Sequence, residues 1–273
     1  MPELPDVETV RRYLIARGLV GRAITGAQIL WPRAVRSPSE EEFVSEVSGR
    51  RIIDIRRRGK YVILDLDGRP ARVLILHLRM TGSLLVKEAG LERPRHTRNV
   101  LLLDGGEELC FVDPRKFGVM WLVADEADVL AGLGPEPLDP AFTSAVLARR
   151  LSGHTAPVKA LLCDQRIVAG IGNIYADEAL FASGIHPLEQ GGLLSPNEGR
   201  RLHRAVVVRL TEAIQQLAPL IGNGGPATES REGLERLLVP RSEGVPCSAC
   251  DTPISRVIVR GRNSYFCGRC QAE

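Results

Sequence analysis

The sequence lacks three features that would assign the chain to a class other than soluble globular proteins. No run of about 18 apolar residues is present, so no membrane span is expected. The chain start, Met1 to Asp6, has neither a basic region nor an apolar core, so a signal peptide is not expected. No glycine-rich nucleotide-binding loop is recognisable, which argues against an organic cofactor. These absences predict a cytoplasmic protein.

Lysine is also scarce, because only four of the 36 basic residues are lysine and the others are arginine. The net charge of +3 is too small to indicate a nucleic-acid partner by itself. Arginine suits phosphates and base edges, but a preference for GC-rich codons would give the same composition. With 273 residues, 44% of them hydrophobic and 25% charged, the chain fits one large or two ordinary globular domains.

Four of the six cysteines lie within the last 27 residues, as Cys247-x2-Cys250-x16-Cys267-x2-Cys270. In a cytosolic chain this spacing predicts one tetrahedral zinc site and not disulfides. The residues between the two pairs predict a hairpin that turns at Gly261. Cys110 and Cys163 stand alone in apolar surroundings, which favours buried thiols.

Hydrophobic periodicity divides the chain into a β-rich part and a helical part. Residues 5–17 predict a helix, residues 22–125 predict short strands of a sandwich or flattened barrel, and one helical piece spans 39–47. A Gly- and Pro-rich segment follows, and then helices over 157–163, 174–183 and from the Ser195–Glu198 capping box to Gly222. The predicted boundaries are a first domain over 1–131, a linker over 132–150, a helical domain over 151–225 and a terminal module over 226–273.

The N-terminus could carry chemistry. Removal of Met1 would leave Pro2 with a free secondary amine, which can attack an electrophilic carbon and give an iminium. Glu3 would place a carboxylate beside it for proton transfer. The alternative is that Pro2 and Pro5 only stiffen the entrance of a helix.

Other segments suit nucleic acid, although each has a structural alternative. The basic cluster before Lys60 suits phosphates or protects a strand edge. The turn at 113–118 projects Arg115 and Phe117, either as a wedge into stacked bases or as an ordinary hairpin tip. Asn173 is expected to cap a helix whose N-terminus could bind phosphate, and Arg262 lies at the predicted hairpin turn as a contact or a solvated side chain.

These features occur together and in order, and the sequence resembles the formamidopyrimidine-DNA glycosylase family from end to end. The resemblance is carried by Pro2 to Thr9, Arg57 to Lys60, His77 to Gly82, Asp113 to Gly118, Leu133 to Leu138, Val158 to Leu162, Gly170 to Glu178, and the four cysteines with Arg262. It implies an α+β multidomain fold. The expected parts are an N-terminal β-sandwich with flanking helices, a helix–two-turn–helix domain and a C-terminal zinc-finger β-hairpin.

The resemblance also implies roles for individual residues. Pro2 would attack C1′ of a damaged nucleoside, Glu3 would handle protons, and Lys60 and Arg262 would assist β- and δ-elimination. The remaining family positions imply contacts to DNA: Met80, Arg115 and Phe117 in the gap left by the flipped nucleotide, and His96, Lys159 and Asn173 on the backbone. One structural Zn²⁺, double-stranded damaged DNA as the partner, no membrane and a monomeric state are expected.

The sequence departs from the family pattern in three places, of which the third concerns base preference and the first concerns the reach of a carboxylate. Asp6 stands where many relatives carry Glu, Thr81 stands where some carry Glu, and the segment between Gly225 and Cys247 is shortened and altered. Met80, Arg115 and Phe117 nevertheless match the family pattern. The resemblance therefore predicts a glycosylase and abasic-site lyase that prefers oxidised purines. A preference for oxidised pyrimidines, as in the related endonuclease VIII branch, and a zinc DNA-binding protein without catalysis are the alternatives.

Overall fold

The structure is a computed structural model, and it describes residues 1–218 and 237–272. The predicted helix end at Gly222 and most of the altered loop lie outside the described residues. The described chain forms two compact units, residues 1–131 with 216–218 and residues 132–215 with 237–272. Within these ranges, no helix combines the length and apolar character that a membrane crossing requires.

The first unit contains one antiparallel β-sheet, one mixed β-sheet and two longer helices. Its helices are α1 (Leu4–Ala16), α2 (Glu40–Val47) and the short α3 (Ala127–Leu130), and its strands are β1 (Ile24–Ile29), β2 (Val35–Ser37), β3 (Ile52–Arg58), β4 (Tyr61–Leu66), β5 (Arg72–His77), β6 (Ser83–Glu88), β7 (Thr97–Leu103), β8 (Glu107–Val112) and β9 (Val119–Val123). One sheet has the order β1-β7-β8-β6 and the other β2-β9-β5-β4-β3, in which only β2 and β9 pair in parallel.

The apolar faces of both sheets and of the helices share one core, as expected for a sandwich. Tyr13 and Leu14 of α1, Phe43 of α2, Leu64 of β4 and Leu109 of β8 all belong to it. Short apolar runs separated by turn signals predict the strands from β4 to β9 correctly. They give no signal for β3, where Asp54 and three arginines follow the first isoleucines and pairing with β4 decides the conformation.

The second unit is mainly helical and contains α4 (Ser144–Leu151), α5 (Val158–Leu162), α6 (Asn173–Ser183) and α7 (Pro196–Leu217). The capping box is confirmed, because Ser195 Oγ accepts from the Glu198 N–H and Glu198 accepts from the Ser195 N–H. The predicted linker over 132–150 extends too far. Thr143 caps α4, which buries Leu147 and Leu151, and the Gly- and Pro-rich pattern before it does not reveal this helix.

The chain ends in a two-stranded hairpin within the same unit. Strands β10 (Ser255–Val259) and β11 (Arg262–Phe266) pair antiparallel, and Val259 lies opposite Arg262. Gly261 has φ of +76°, a conformation that glycine adopts without steric cost, so the predicted turn is confirmed. Arg262 is exposed at this turn.

Candidate active site and DNA-binding surfaces

The start of the chain forms a cluster of carboxylates at the beginning of α1. Pro2 and Glu3 are buried, whereas Met1 is 48% exposed. Asp6 Oδ2 accepts a hydrogen bond of 2.7 Å from the Glu3 N–H, which holds the turn that carries Pro2. Asp6 is shorter than the Glu of many relatives, yet its carboxylate reaches this N–H.

Burial raises the pKa of Asp6 to about 6, and the neighbouring Glu3 carboxylate adds to this rise, while the Glu3 N–H and the chain's own N-terminal amine oppose it. This amine, which belongs to Met1, therefore lies within electrostatic reach of the Asp6 carboxylate. After removal of Met1 the amine would belong to Pro2, and an amine beside carboxylates provides the elements that nucleophilic attack with proton transfer requires.

We expect Asp6→Asn to become more stable relative to the parent chain as the pH rises. The folded-state pKa of Asp6 lies above its unfolded value, so the stability that it contributes is complete below the unfolded pKa and is lost as the pH rises through about 6. Asn keeps an acceptor for the Glu3 N–H and does not ionise. Melting temperatures from about pH 4 to about pH 7 should show a widening gap in favour of the variant. Asp139→Asn, at an exposed loop, serves as the control, and a constant gap would contradict the expectation.

Lys60 lies in the turn between β3 and β4, where Gly59 adopts φ of +54°. The Lys60 side chain is buried, and it lies close enough to His77 that its cation affects the pKa of that ring. Burial, together with the Arg79 and Lys60 cations, lowers the pKa of His77 to about 3. His77 Nδ1 accepts from the Arg79 N–H at 2.9 Å, so the neutral ring carries its proton on Nε2. The sequence presents His77 only as the first residue of the motif from His77 to Gly82, whereas the structure makes it a neutral donor beside Lys60.

The basic cluster before Lys60 is largely engaged within the protein. Arg56 pairs with Asp65 at 2.5 Å and with Glu126 at 2.7 Å. Arg57 Nε lies 3.2 Å from Glu8 Oε2, and this pair joins α1 to β3. For these two arginines the structure therefore shows ion pairs within the protein, and phosphate contact by the basic cluster stays a prediction.

Asp113 organises the turn that the sequence predicts as a wedge. Its carboxylate is 1% exposed and accepts from the backbone N–H groups of Arg115, Phe117 and Gly118 at 3.2, 2.6 and 2.7 Å. Thr81 Oγ1 also donates to it, which ties the turn to the segment that carries Met80. An Asp followed by Pro at a hairpin tip favours such a loop, but the sequence does not reveal the partner 32 residues away.

The side chains predicted to enter DNA are exposed on this framework. Phe117 is 50% and Met80 40% exposed, and the Arg115 guanidinium lies 4.9 Å from the Phe117 ring centroid. Lys116 lies instead over the Trp31 ring at 4.2 Å. His96 adjoins the turn, because its carbonyl accepts from the Asp113 N–H at 3.0 Å. Met80, His96, Arg115 and Phe117 therefore belong to one surface.

In the second unit, Lys159 and Arg262 line the same cavity of about 400 Å³, together with Gln165 and Arg260. Lys159 is only 1% exposed, and its ammonium contacts Asp177 at 2.6 Å. Burial lowers the pKa of Lys159, although Asp177 opposes this effect. Lys159, which is predicted to contact the DNA backbone, is thus part of a buried ion pair in this structure.

Asn173 does not cap α6, so that prediction is wrong. Gly172 occupies the N-cap position in an extended conformation, and Asn173 is the first helical residue. Its Oδ1 is buried and has no hydrogen-bond partner among the described residues. Asn173 remains at the helix start beside a glycine-rich turn, where backbone N–H groups are available to an anion.

The four terminal cysteines form a metal-sized group. All four sulfurs lie within 4.8 Å of one another, and Cys250 Sγ is 3.5 Å from both Cys267 Sγ and Cys270 Sγ. A tetrahedral Zn²⁺ with bonds of about 2.3 Å places its sulfurs about 3.8 Å apart, so the group fits one zinc ion. None of the described cysteines forms a disulfide.

Comparison with known proteins agrees with this arrangement. Three family models match in order: the formamidopyrimidine-DNA glycosylase N-terminal domain over residues 1–120, its H2TH domain over 133–221, and a zinc finger found in FPG and IleRS over 244–272. A formamidopyrimidine-DNA glycosylase from Symbiobacterium thermophilum is 45% identical over 99% of this chain and 89% of the relative.

Two solved structures of Lactococcus lactis Fpg (MutM), in complexes with DNA that contains N7-benzyl-Fapy-dG or an oxidised pyrimidine, are 33% identical, with TM-scores of 0.90 and 0.89. Each comparison covers 100% of both chains. Fold and site together define the class of zinc-finger DNA glycosylases. The chain belongs to the formamidopyrimidine-DNA glycosylase family.

Proposed function

We propose that this protein is a base-excision repair enzyme that removes oxidised purines, such as 8-oxoguanine and formamidopyrimidines, and then cleaves the abasic strand. Family membership over the whole chain supports the reaction class. The observation that carries the proposal is the buried start of α1, where Pro2 adjoins Glu3 and Asp6. An N-terminal secondary amine beside carboxylates provides the nucleophile and the proton-transfer groups.

In the proposed reaction, the Pro2 amine of the Met1-trimmed chain attacks C1′, the glycosidic bond breaks, and the base leaves. Glu3 moves protons at the opened sugar. The resulting iminium acidifies C2′, so loss of a C2′ proton expels the 3′ phosphate, and a second proton loss expels the 5′ phosphate. Lys60 assists the first elimination and Arg262 the second.

The exposed surface around Asp113 supports binding of a duplex with an extruded nucleotide. Chemistry at C1′ requires the nucleotide to leave the stack, and an apolar side chain with an arginine can fill the gap. Met80, Phe117 and Arg115 have the exposure that this role needs. His96, Lys159 and Asn173 are proposed to contact the backbone, and one Zn²⁺ holds the terminal hairpin. We further propose a monomer that acts in the cytoplasm.

Excision assays test the substrate. Duplexes with 8-oxoguanine or thymine glycol opposite their normal partners should be cleaved at different rates, with 8-oxoguanine preferred. A preference for oxidised pyrimidines is the second candidate, and the solved complex of the Lactococcus lactis relative with an oxidised pyrimidine favours testing it. No cleavage of the 8-oxoguanine duplex would exclude the purine assignment.

Arg115→Ala should weaken discrimination of the base opposite the lesion by about 1–3 kcal/mol, the scale of one good bidentate base contact. Arg115 is exposed and stacks on Phe117, so its removal leaves the core intact. The measurement compares excision of 8-oxoguanine opposite C and opposite A. Lys116→Ala, which removes the neighbouring cation over Trp31, is the matched control. Equal excision opposite both bases in the parent chain would remove the basis of this expectation.

A further inference from the structure

Asp177 is a buried carboxylate to which the proposed reaction assigns no role. It lies in α6, is 1% exposed, and uses both oxygens. Its Oδ1 contacts Lys159 Nζ at 2.6 Å and accepts from Ser264 Oγ at 2.7 Å. Its Oδ2 accepts from Arg241 at 2.9 Å and from the Tyr265 N–H at 3.3 Å. One side chain thus joins α5, α6, the segment before the zinc module, and β11.

The contacts of Asp177 and Lys159 converge on the residues that directly follow Arg262. Lys159 Nζ donates to the Asn263 carbonyl at 3.0 Å, and Asp177 holds the next two residues, Ser264 and Tyr265. Three consecutive residues of β11 are therefore fixed to the helices by one buried ion pair. Arg262, which is exposed, begins the same strand.

The zinc ion does not by itself provide this connection. The four cysteines hold the ends of the terminal module, whereas Arg262 lies at the opposite end of the hairpin, five residues before Cys267. The Arg241 guanidinium also lies 5.0 Å from the Tyr265 ring centroid, which adds a second contact on the same strand. The Asp177 group therefore contributes directly to the placement of the Arg262 end relative to α5.

We propose that Asp177 is a positioning residue that sets Arg262 for the second elimination by holding Lys159 and strand β11 together. Lys159, which lines the same cavity as Arg262, then serves the reaction through the Asn263 carbonyl in addition to its proposed contact with the DNA backbone. The inference rests on the proposed function, because it explains how the contacts of Asp177 place Arg262 for the second elimination of that reaction.

Asp177→Asn and Ser264→Ala test the proposal, with Glu243→Gln as control. Glu243 forms an exposed ion pair with Arg256 of the same hairpin, at 3.1 Å, and has no part in the buried group. Each full-length, zinc-loaded variant is incubated with abasic DNA, and the β- and δ-elimination products are separated on a denaturing gel. Borohydride trapping measures the attack by Pro2, and hydrogen exchange follows the Tyr265 amide.

We expect the ratio of δ to β product to fall by about tenfold or more in Asp177→Asn, the scale of one hydrogen bond to a charged group. Ser264→Ala should lower the ratio less, since Asp177 keeps its other partners. The yield of borohydride-trapped adduct at saturating protein should equal that of the parent chain, and so should the zinc content. The Tyr265 amide should exchange faster than in the parent chain. Glu243→Gln should leave all four measurements unchanged.

An unchanged product ratio and unchanged Tyr265 exchange in zinc-loaded Asp177→Asn would overturn the proposal. Should that variant lose zinc or fail to fold, Ser264→Ala decides in the same way, because it removes only one hydroxyl. A parent chain that leaves abasic DNA intact would refute the proposed function instead. Exchange at Tyr265 would then still decide whether Asp177 holds the strand.

Discussion

A chain that carries one extra residue before Pro2 will give no borohydride-trapped adduct with abasic DNA and no strand cleavage. The extra residue turns the Pro2 nitrogen into an amide, which cannot attack C1′ or form an iminium. Because enzymes accelerate reactions by about 10⁶-fold or more, cleavage should fall to the background rate. Met1 is 48% exposed, so the structure has room for a residue at this point without disturbing the core.

The control for this experiment is the same chain after removal of the extra residue, with its mass measured to establish that Pro2 is first. Both chains should melt at the same temperature and bind a duplex with a stable abasic analogue equally well. An adduct with the extended chain would contradict Pro2 as the nucleophile. If the trimmed chain also forms no adduct but binds the duplex, the zinc DNA-binding protein without catalysis becomes the better description.

Cys267→Ser will release zinc, unfold the terminal hairpin and weaken DNA binding by at least about 100-fold. Cys267 is fully buried, and its sulfur lies 3.5 Å from that of Cys250. Structural zinc supplies about 10–16 kcal/mol of apparent binding free energy in small zinc modules, and the four-residue apolar cluster here, which includes two of the cysteines, cannot replace it. Without the hairpin, Arg262 loses its place.

Zinc content and affinity for an abasic-analogue duplex measure this effect, and hydrogen exchange locates it. Protection should be lost in β10 and β11 and retained in the first unit. Cys110→Ala is the matched control, because it removes a buried thiol of the first unit outside the metal group. Unchanged DNA affinity in Cys267→Ser would show that the zinc site does not place Arg262.

Residues whose environment depends on near neighbours were predicted well. The spacing of the four cysteines gives the metal group, Ser195 and Glu198 give the start of α7, and Gly261 gives the hairpin turn. These signals operate over a few residues, so the local chain contains all the information needed. Asn173 as a helix cap is the local prediction that is wrong. The N-cap is one residue earlier, because Gly172 adopts the extended conformation and Asn173 is already helical.

Residues whose partners are distant could not be assigned in this way. The resemblance implies that Lys159 contacts the DNA backbone, but the sequence does not reveal that Lys159 is buried against Asp177 or that Arg57 is bound to Glu8. The sequence around a charged side chain does not show whether its partner is solvent, DNA or a residue of another helix or strand. The predicted linker over 132–150 includes most of α4 for a related reason. This helix is stabilised by tertiary burial of Leu147 and Leu151 as well as by its cap, and the local sequence does not show that burial.

By itself, the sequence determined the reaction class and the chemical groups: an N-terminal proline followed by a glutamate, an exposed turn with Arg115 and Phe117, and four zinc ligands. Only the tertiary structure decided which groups hold others in place, namely Asp113 for the turn and Asp177 for the hairpin. The physical reason is range. Spacing and turn chemistry act over a few residues, whereas Asp177 meets its Ser264 partner 87 residues away, and only the folded chain brings them together.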